Sequence, residues 1–156
     1  MNRQREKMPT FHHIGIQTAD LDQCLAWYRE YFGAQEKWTL DTFSELTLSR
    51  LPGITRLTEV EIGDFRLHLF ERTGQDDRLP GGNTAQFQHT CVATESPEEL
   101  ARWRERWVEL YDSGRYRFAS TEGPTDIVID ADGVQSFYTF DINGLEFEFT
   151  YVPDGS

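Results

Sequence analysis

Two stretches of the chain share one pattern: alternating apolar and polar positions, then an oxygen-bearing residue, then apolar positions every three or four residues. They are FHHIGIQTADLDQCLAWYREYF (11–32) and FQHTCVATESPEELARWRERWV (87–108), and they align without a gap. Phe11 meets Phe87, His13 meets His89, Thr18 meets Thr94 and Trp27 meets Trp103. Alternation predicts a strand and the longer period an amphipathic helix. Asp20 with Gln23, and Ser96 with Glu99, have the spacing of capping boxes. Pro97 takes the favoured first helical position. Leu21, Leu25, Tyr28 and Phe32 form the stripe of the first helix, with Gly33 as its stop; Leu100, Trp103, Trp107 and Leu110 form the second.

Beyond each helix the chain reads as strands: KWTLDTF, SELTLSRL, LTEVEIG and FRLHLFE, then YRFAST, DIVIDA, GVQSFYTFD and LEFEFTYV. TGQDDRLPGGNTA, rich in Gly, Pro and Asp, reads as the loop between the halves. The expected organisation is a flexible tail (1–9), a first βαβββ module (10–74), a linker (75–85) and a second βαβββ module (86–152). The fold class is α+β, two modules in tandem forming a cup-shaped mixed sheet with helices on the outer face.

Strand parity then sorts the histidines, because successive side chains point to opposite faces. In FHHIGIQ the aliphatic face carries His12, Ile14 and Ile16 and packs under the helix, which makes His12 structural and sends His13 to the opposite face. By the same parity Val92 turns inward and His89 outward. Leu67 and Leu69 turn inward and leave Arg66, His68 and Phe70; Leu145, Phe147 and Phe149 leave Glu146, Glu148 and Thr150. One face thus gathers His13, His68, His89 and Glu148. Three imidazoles and a carboxylate suit one divalent transition metal, Fe, Ni, Zn, Mn or Co, rather than calcium.

Composition narrows the partners. With 27 acidic against 15 basic residues and a formal charge of -12, the chain has no basic stripe for nucleic acid or an anionic membrane. No apolar run approaches membrane-spanning length and MNRQREKMPT lacks a signal-peptide core, so a cytoplasmic protein is expected. Cys24 and Cys91 have no CxxC spacing and are expected to be two buried thiols.

Paired βαβββ modules with a histidine on each first strand and a ligand on each last strand resemble the vicinal oxygen chelate superfamily, which includes glyoxalases, epimerases, extradiol dioxygenases and bleomycin and fosfomycin resistance proteins. HIGIQTADLDQCLAWYREYFG and FYTFDINGLEFEF carry the resemblance. It implies a cup around one divalent metal that chelates a substrate through neighbouring oxygens. His13 and His89 match the first-strand ligands. Glu148, four residues after Gly144, matches the last-strand carboxylate, and His68 followed by Leu69 matches the fourth ligand. Ile142 stands where the pattern has proline. Tyr138 matches the tyrosine of the extradiol motif, but the histidine upstream of it is missing and Gln135 is the nearest polar residue.

The resemblance implies a metal-dependent isomerase, lyase or epimerase acting on a small oxygenated metabolite, with Glu148 as ligand and base and Tyr138 as a second catalytic group. Glu146 reads as a rim residue, and Arg66 as a holder of substrate oxygens or a surface ion pair. Two alternatives stand beside it: an iron-dependent extradiol-type dioxygenase, and a drug-sequestering protein of the bleomycin-resistance type. A homodimer is expected, with the cup closed either within one chain or by exchange of modules between two.

Overall fold

The structure is a computed structural model that describes residues 7–76 and 78–155. Of the expected tail, residues 1–6 lie outside the described residues, as does residue 77 of the linker. The first half comprises β1 (Ile14–Gln17), α1 (Leu21–Phe32), β2 (Gln35–Leu40), α2 (Glu45–Arg50), β3 (Ile54–Ile62) and β4 (Phe65–Arg72). The second comprises β5 (His89–Thr94), α3 (Pro97–Asp112), β6 (Val128–Ile129), β7 (Gln135–Phe140) and β8 (Glu146–Tyr151). They build two four-stranded mixed sheets of matching order, β1-β4-β3-β2 and β5-β8-β7-β6. In each, the first strand pairs parallel with the last and the remaining pairs are antiparallel. The fold class is the α+β one the sequence predicts, and the two sheets are not closed into a barrel.

The caps form at the expected places. Asp20 accepts from the Gln23 amide and Ser96 from the Glu99 amide, each at 3.1 Å. The return half of each box differs: the Gln23 side chain bonds the Arg117 backbone, and Glu99 accepts from the Glu95 amide. Gly33 ends α1 at φ 70°, a left-handed conformation that costs glycine no Cβ clash.

Helix α1 buries more than one stripe. Leu21, Cys24, Leu25 and Tyr28 are buried, but so are Trp27 and Tyr31. The extra face meets the second half: the Tyr31 hydroxyl donates to the Trp103 carbonyl at 3.0 Å, Phe32 stacks on Phe149, and Trp27 meets Phe118 edge-on. Tyr28 donates to Asp141 at 2.7 Å and Thr18 to Asn143 at 2.6 Å. One apolar cluster therefore runs through both halves.

Three strand expectations are corrected. SELTLSRL holds helix α2, because Ser44 caps it through the Thr47 amide; its Leu46 and Leu48 are exposed, so their alternation records no buried face. YRFAST is irregular, with Phe118 packed on Trp27, Trp107 and Tyr111 and the Tyr116 hydroxyl on the Ala26 carbonyl. DIVIDA keeps only the two residues of β6.

Candidate metal centre in two halves

The open face of each sheet, away from the helices, carries half of the expected ligand set. In the first sheet the turn after Ile62 fixes the register, so that Ile62 faces Phe65 and Glu59 faces His68. Across the sheet this row reads Gly15, His68, Glu59 and Trp38. The His68 Nε2 lies 3.0 Å from a Glu59 carboxylate oxygen, both side chains being largely buried at 13% and 9% exposure. That imidazole holds the Glu59 carboxyl below the ordinary carboxylate range. Trp38 meets the His68 ring edge-on at 5.1 Å. On one side of the row, Phe70 and Leu57 join Ile54, Phe43 and Leu51 in a small apolar cluster. On the other, Glu61 pairs with Arg66 and Lys37, so Arg66 is engaged in a surface ion pair.

His13 lies against His68, ring on ring, with centroids 3.5 Å apart. Burial, and then the neighbouring His68 and His12, hold its pKa below the usual histidine value, which favours the neutral imidazole, the form able to bind a metal. His12 departs from expectation. The ladder starts only at Ile14, so parity does not reach His12, and its ring is exposed rather than packed under the helix. Its Nδ1 lies 2.8 Å from the His13 Nδ1.

In the second sheet the corresponding face carries His89, Cys91, Glu148 and Tyr138. His89 Nε2 lies 3.4 Å from Glu148 Oε1. Tyr138 faces Glu148 across the β7–β8 ladder, and its ring meets His89 edge-on at 5.4 Å. Burial and the Glu148 carboxylate push the Tyr138 hydroxyl upward, so it remains a proton donor at neutral pH. Cys91 is exposed, not buried as expected, because β5 turns it to the open face; the nearby Glu148 adds to partial burial in pushing its thiol up to about 12. Glu146 pairs in register with His89 at the start of the ladder.

The structure thus brings His13 to His68 and His89 to Glu148, but does not bring the two pairs together. Among the described residues, the one group of three or more His, Cys, Asp or Glu side chains close enough to share an ion is His12, His13 and His68. Imidazole nitrogens and carboxylate oxygens are fitting donors for a first-row divalent ion, and each pair holds two of the four ligands expected from the sequence. Glu59, Trp38 and the role of His12 escape the sequence reading. Glu59 carried a usable signal, since counting outward from the Gly63-Asp64 turn sets it opposite His68.

This arrangement of repeated modules is matched by a family model: the chain belongs to the Glyoxalase/Bleomycin resistance protein/Dioxygenase superfamily, over residues 10–149. No curated protein matches it in sequence. Solved structures do. A glyoxylase/bleomycin resistance protein/dioxygenase domain from Frankia sp. EAN1pec is 15% identical with a TM-score of 0.73, covering 96% of both chains. A mutant of the fosfomycin resistance protein FosX from Listeria monocytogenes, complexed with Mn(II) and 1S,2S-dihydroxypropylphosphonic acid, is 17% identical with a TM-score of 0.65, covering 95% of both. Lactoylglutathione lyase from Agrobacterium tumefaciens is 21% identical with a TM-score of 0.57, covering 93% of this chain and 96% of its own. Among the described residues no helix is long and apolar enough to cross a membrane.

Proposed function

We propose that the protein is a divalent-metal-dependent enzyme of the glyoxalase, isomerase or epimerase kind, whose site forms between two copies of the chain. The observation that carries this reading is the division of the ligands. His13 and His68 occupy one open sheet face, His89 and Glu148 another, and the two pairs do not converge within a chain. Large apolar side chains remain exposed around them, among them Phe11, Trp38 and Leu40 in the first half and Phe87 in the second. A homodimer that sets the first face of one copy against the second face of the other completes a four-ligand site and covers these groups.

The metal would be held by His13, His68, His89 and Glu148, and when bound it supplies Lewis acidity to neighbouring oxygens of a small metabolite. Glu59 fixes the ring of His68. Glu148, a carboxylate on the open face, is the base that takes a proton from the carbon beside the substrate carbonyl. Tyr138 keeps its proton and donates a hydrogen bond to a substrate oxygen. Trp38 and Leu40 form an apolar wall, which suits a substrate with a hydrocarbon or aromatic portion beside its oxygens.

Complementation tests the reading. A His13→Ala chain and a Glu148→Ala chain each lose high-affinity metal binding, and co-expression restores one intact site per heterodimer. No restoration, with each single variant still dimeric, refutes the shared site. Solvent-deuterium exchange into a panel of 2-hydroxy and 1,2-dicarbonyl compounds reports proton abstraction. Oxygen uptake with catechols, without such exchange, would instead place the protein with the dioxygenases.

A further inference from the structure

The histidine beside the matched ligand has its own geometry. His12 and His13 bring their Nδ1 atoms to 2.8 Å. Two nitrogens bound cis to one ion at roughly 2.0–2.1 Å stand about 2.9 Å apart, so this spacing is that of two ligands as well as that of a hydrogen bond. His68 completes the group: one nitrogen from each of the three residues falls within 4.8 Å of the others, and a turn of the His13 or His68 ring out of their stack is what directs both lone pairs to one ion. The His68 Nε2 is already held by Glu59 at 3.0 Å, which leaves Nδ1 as the nitrogen it can offer an ion. A carboxylate behind a histidine is the arrangement that orients an imidazole toward a metal and raises its basicity. His12 and His13 are exposed, so an ion reaches them from solution. All four residues belong to one half of one chain.

We propose that His12, His13 and His68 form a three-imidazole capture site for a divalent transition ion within a single chain. The first half binds the ion before the second half of another copy reaches it, and His12 occupies a coordination position that His89 and Glu148 take over in the assembled site. The handover rests on the shared-site reading above; the capture itself requires only one chain. It gives both adjacent histidines, His12 and His13, a role, and it makes metal loading independent of assembly.

Co2+ titration of the His89→Ala/Glu148→Ala chain tests it, followed by visible absorption and by competition with a chromophoric chelator. The expected result is one Co2+ per chain, with affinity falling at least tenfold when His12→Ala is added. Affinity unchanged by His12→Ala overturns the proposal. So does a double variant that binds no Co2+ although the unsubstituted chain does, and that outcome leaves the shared site standing. If the unsubstituted chain also binds none, both readings fall. A Zn2+ titration of the unsubstituted chain, followed through its four histidine side chains by NMR, needs no variant to fold. His12, His13 and His68 resonances should shift before those of His89, and the reverse order refutes capture by the first half.

Discussion

Tyr28→Phe removes a single oxygen from a buried seam. The Tyr28 hydroxyl donates to Asp141 Oδ2 at 2.7 Å, joining α1 to the turn between β7 and β8. Asp141 is 1% exposed and also accepts from the Asn143 amide, the Asn143 side chain and the Leu145 amide. Burial outweighs these four donors and holds the Asp141 pKa above the ordinary carboxylate value. Without the Tyr28 hydroxyl the buried carboxylate keeps three donors. A hydrogen bond to a charged group contributes about 1.5–3 kcal/mol. At about 2–4 °C per kcal/mol for a chain of this length, Tm should fall by about 3–12 °C. The pH dependence carries a sign. A group whose folded pKa is raised binds its proton more tightly in the native state, so its contribution is most favourable at low pH and is lost as pH rises through the folded pKa. Losing the Tyr28 donor raises that pKa further, so the variant is penalised most at neutral pH and progressively less as Asp141 becomes protonated. Thermal melts of both proteins at one chain concentration, from neutral to acidic pH, measure the difference and keep any concentration dependence from entering it. A cost below about 0.5 kcal/mol at neutral pH, or one that grows on acidification, refutes the account of this seam.

Three further changes probe the site and its frame. Glu59→Ala frees the His68 ring and should weaken divalent-metal affinity by about 10–100-fold in a chelator competition, with Glu59→Gln losing less; equal loss in both would mean that charge rather than orientation matters. Gly144→Ala places a Cβ 2.8 Å from Leu79 Cδ1 at a backbone φ of +83°. The left-handed conformation alone costs a non-glycine residue about 1–2 kcal/mol, to be read as a lower urea midpoint with an unchanged slope. Asp20→Ala leaves the Gln23 amide without its side-chain acceptor, while Glu71 still accepts from the Leu21 amide, and should cost about 1 kcal/mol by the same measurement.

The helices were legible because their signals are local. Asp20 and Ser96 cap where the spacing places them, and the three-four period survives because a helix face must meet a sheet. Parity worked for His68, His89 and Glu148, each inside a ladder whose neighbours alternate. It failed for His12, which lies two residues before the first pairing, where the backbone no longer forces alternation. SELTLSRL misled for a different reason. Leu46 and Leu48 are both exposed, so neither a strand nor a helix period was recording burial there, and the informative residue was the cap, Ser44.

The division of the site into halves depends on contacts that no local pattern encodes. The stripe of α1 identifies the face that meets its own sheet, but Trp27 and Tyr31 are buried by elements far along the chain, Trp103 and Phe118 among them. That second buried face ties the halves together through their helices and uses neither pair, His13 with His68 in the first half and His89 with Glu148 in the second. Tyr28, Tyr31 and Asp141 belong to neither pair and still bear on both. By deciding which surfaces of one chain are consumed in folding, they decide which remain open to the second copy that the proposed shared site requires.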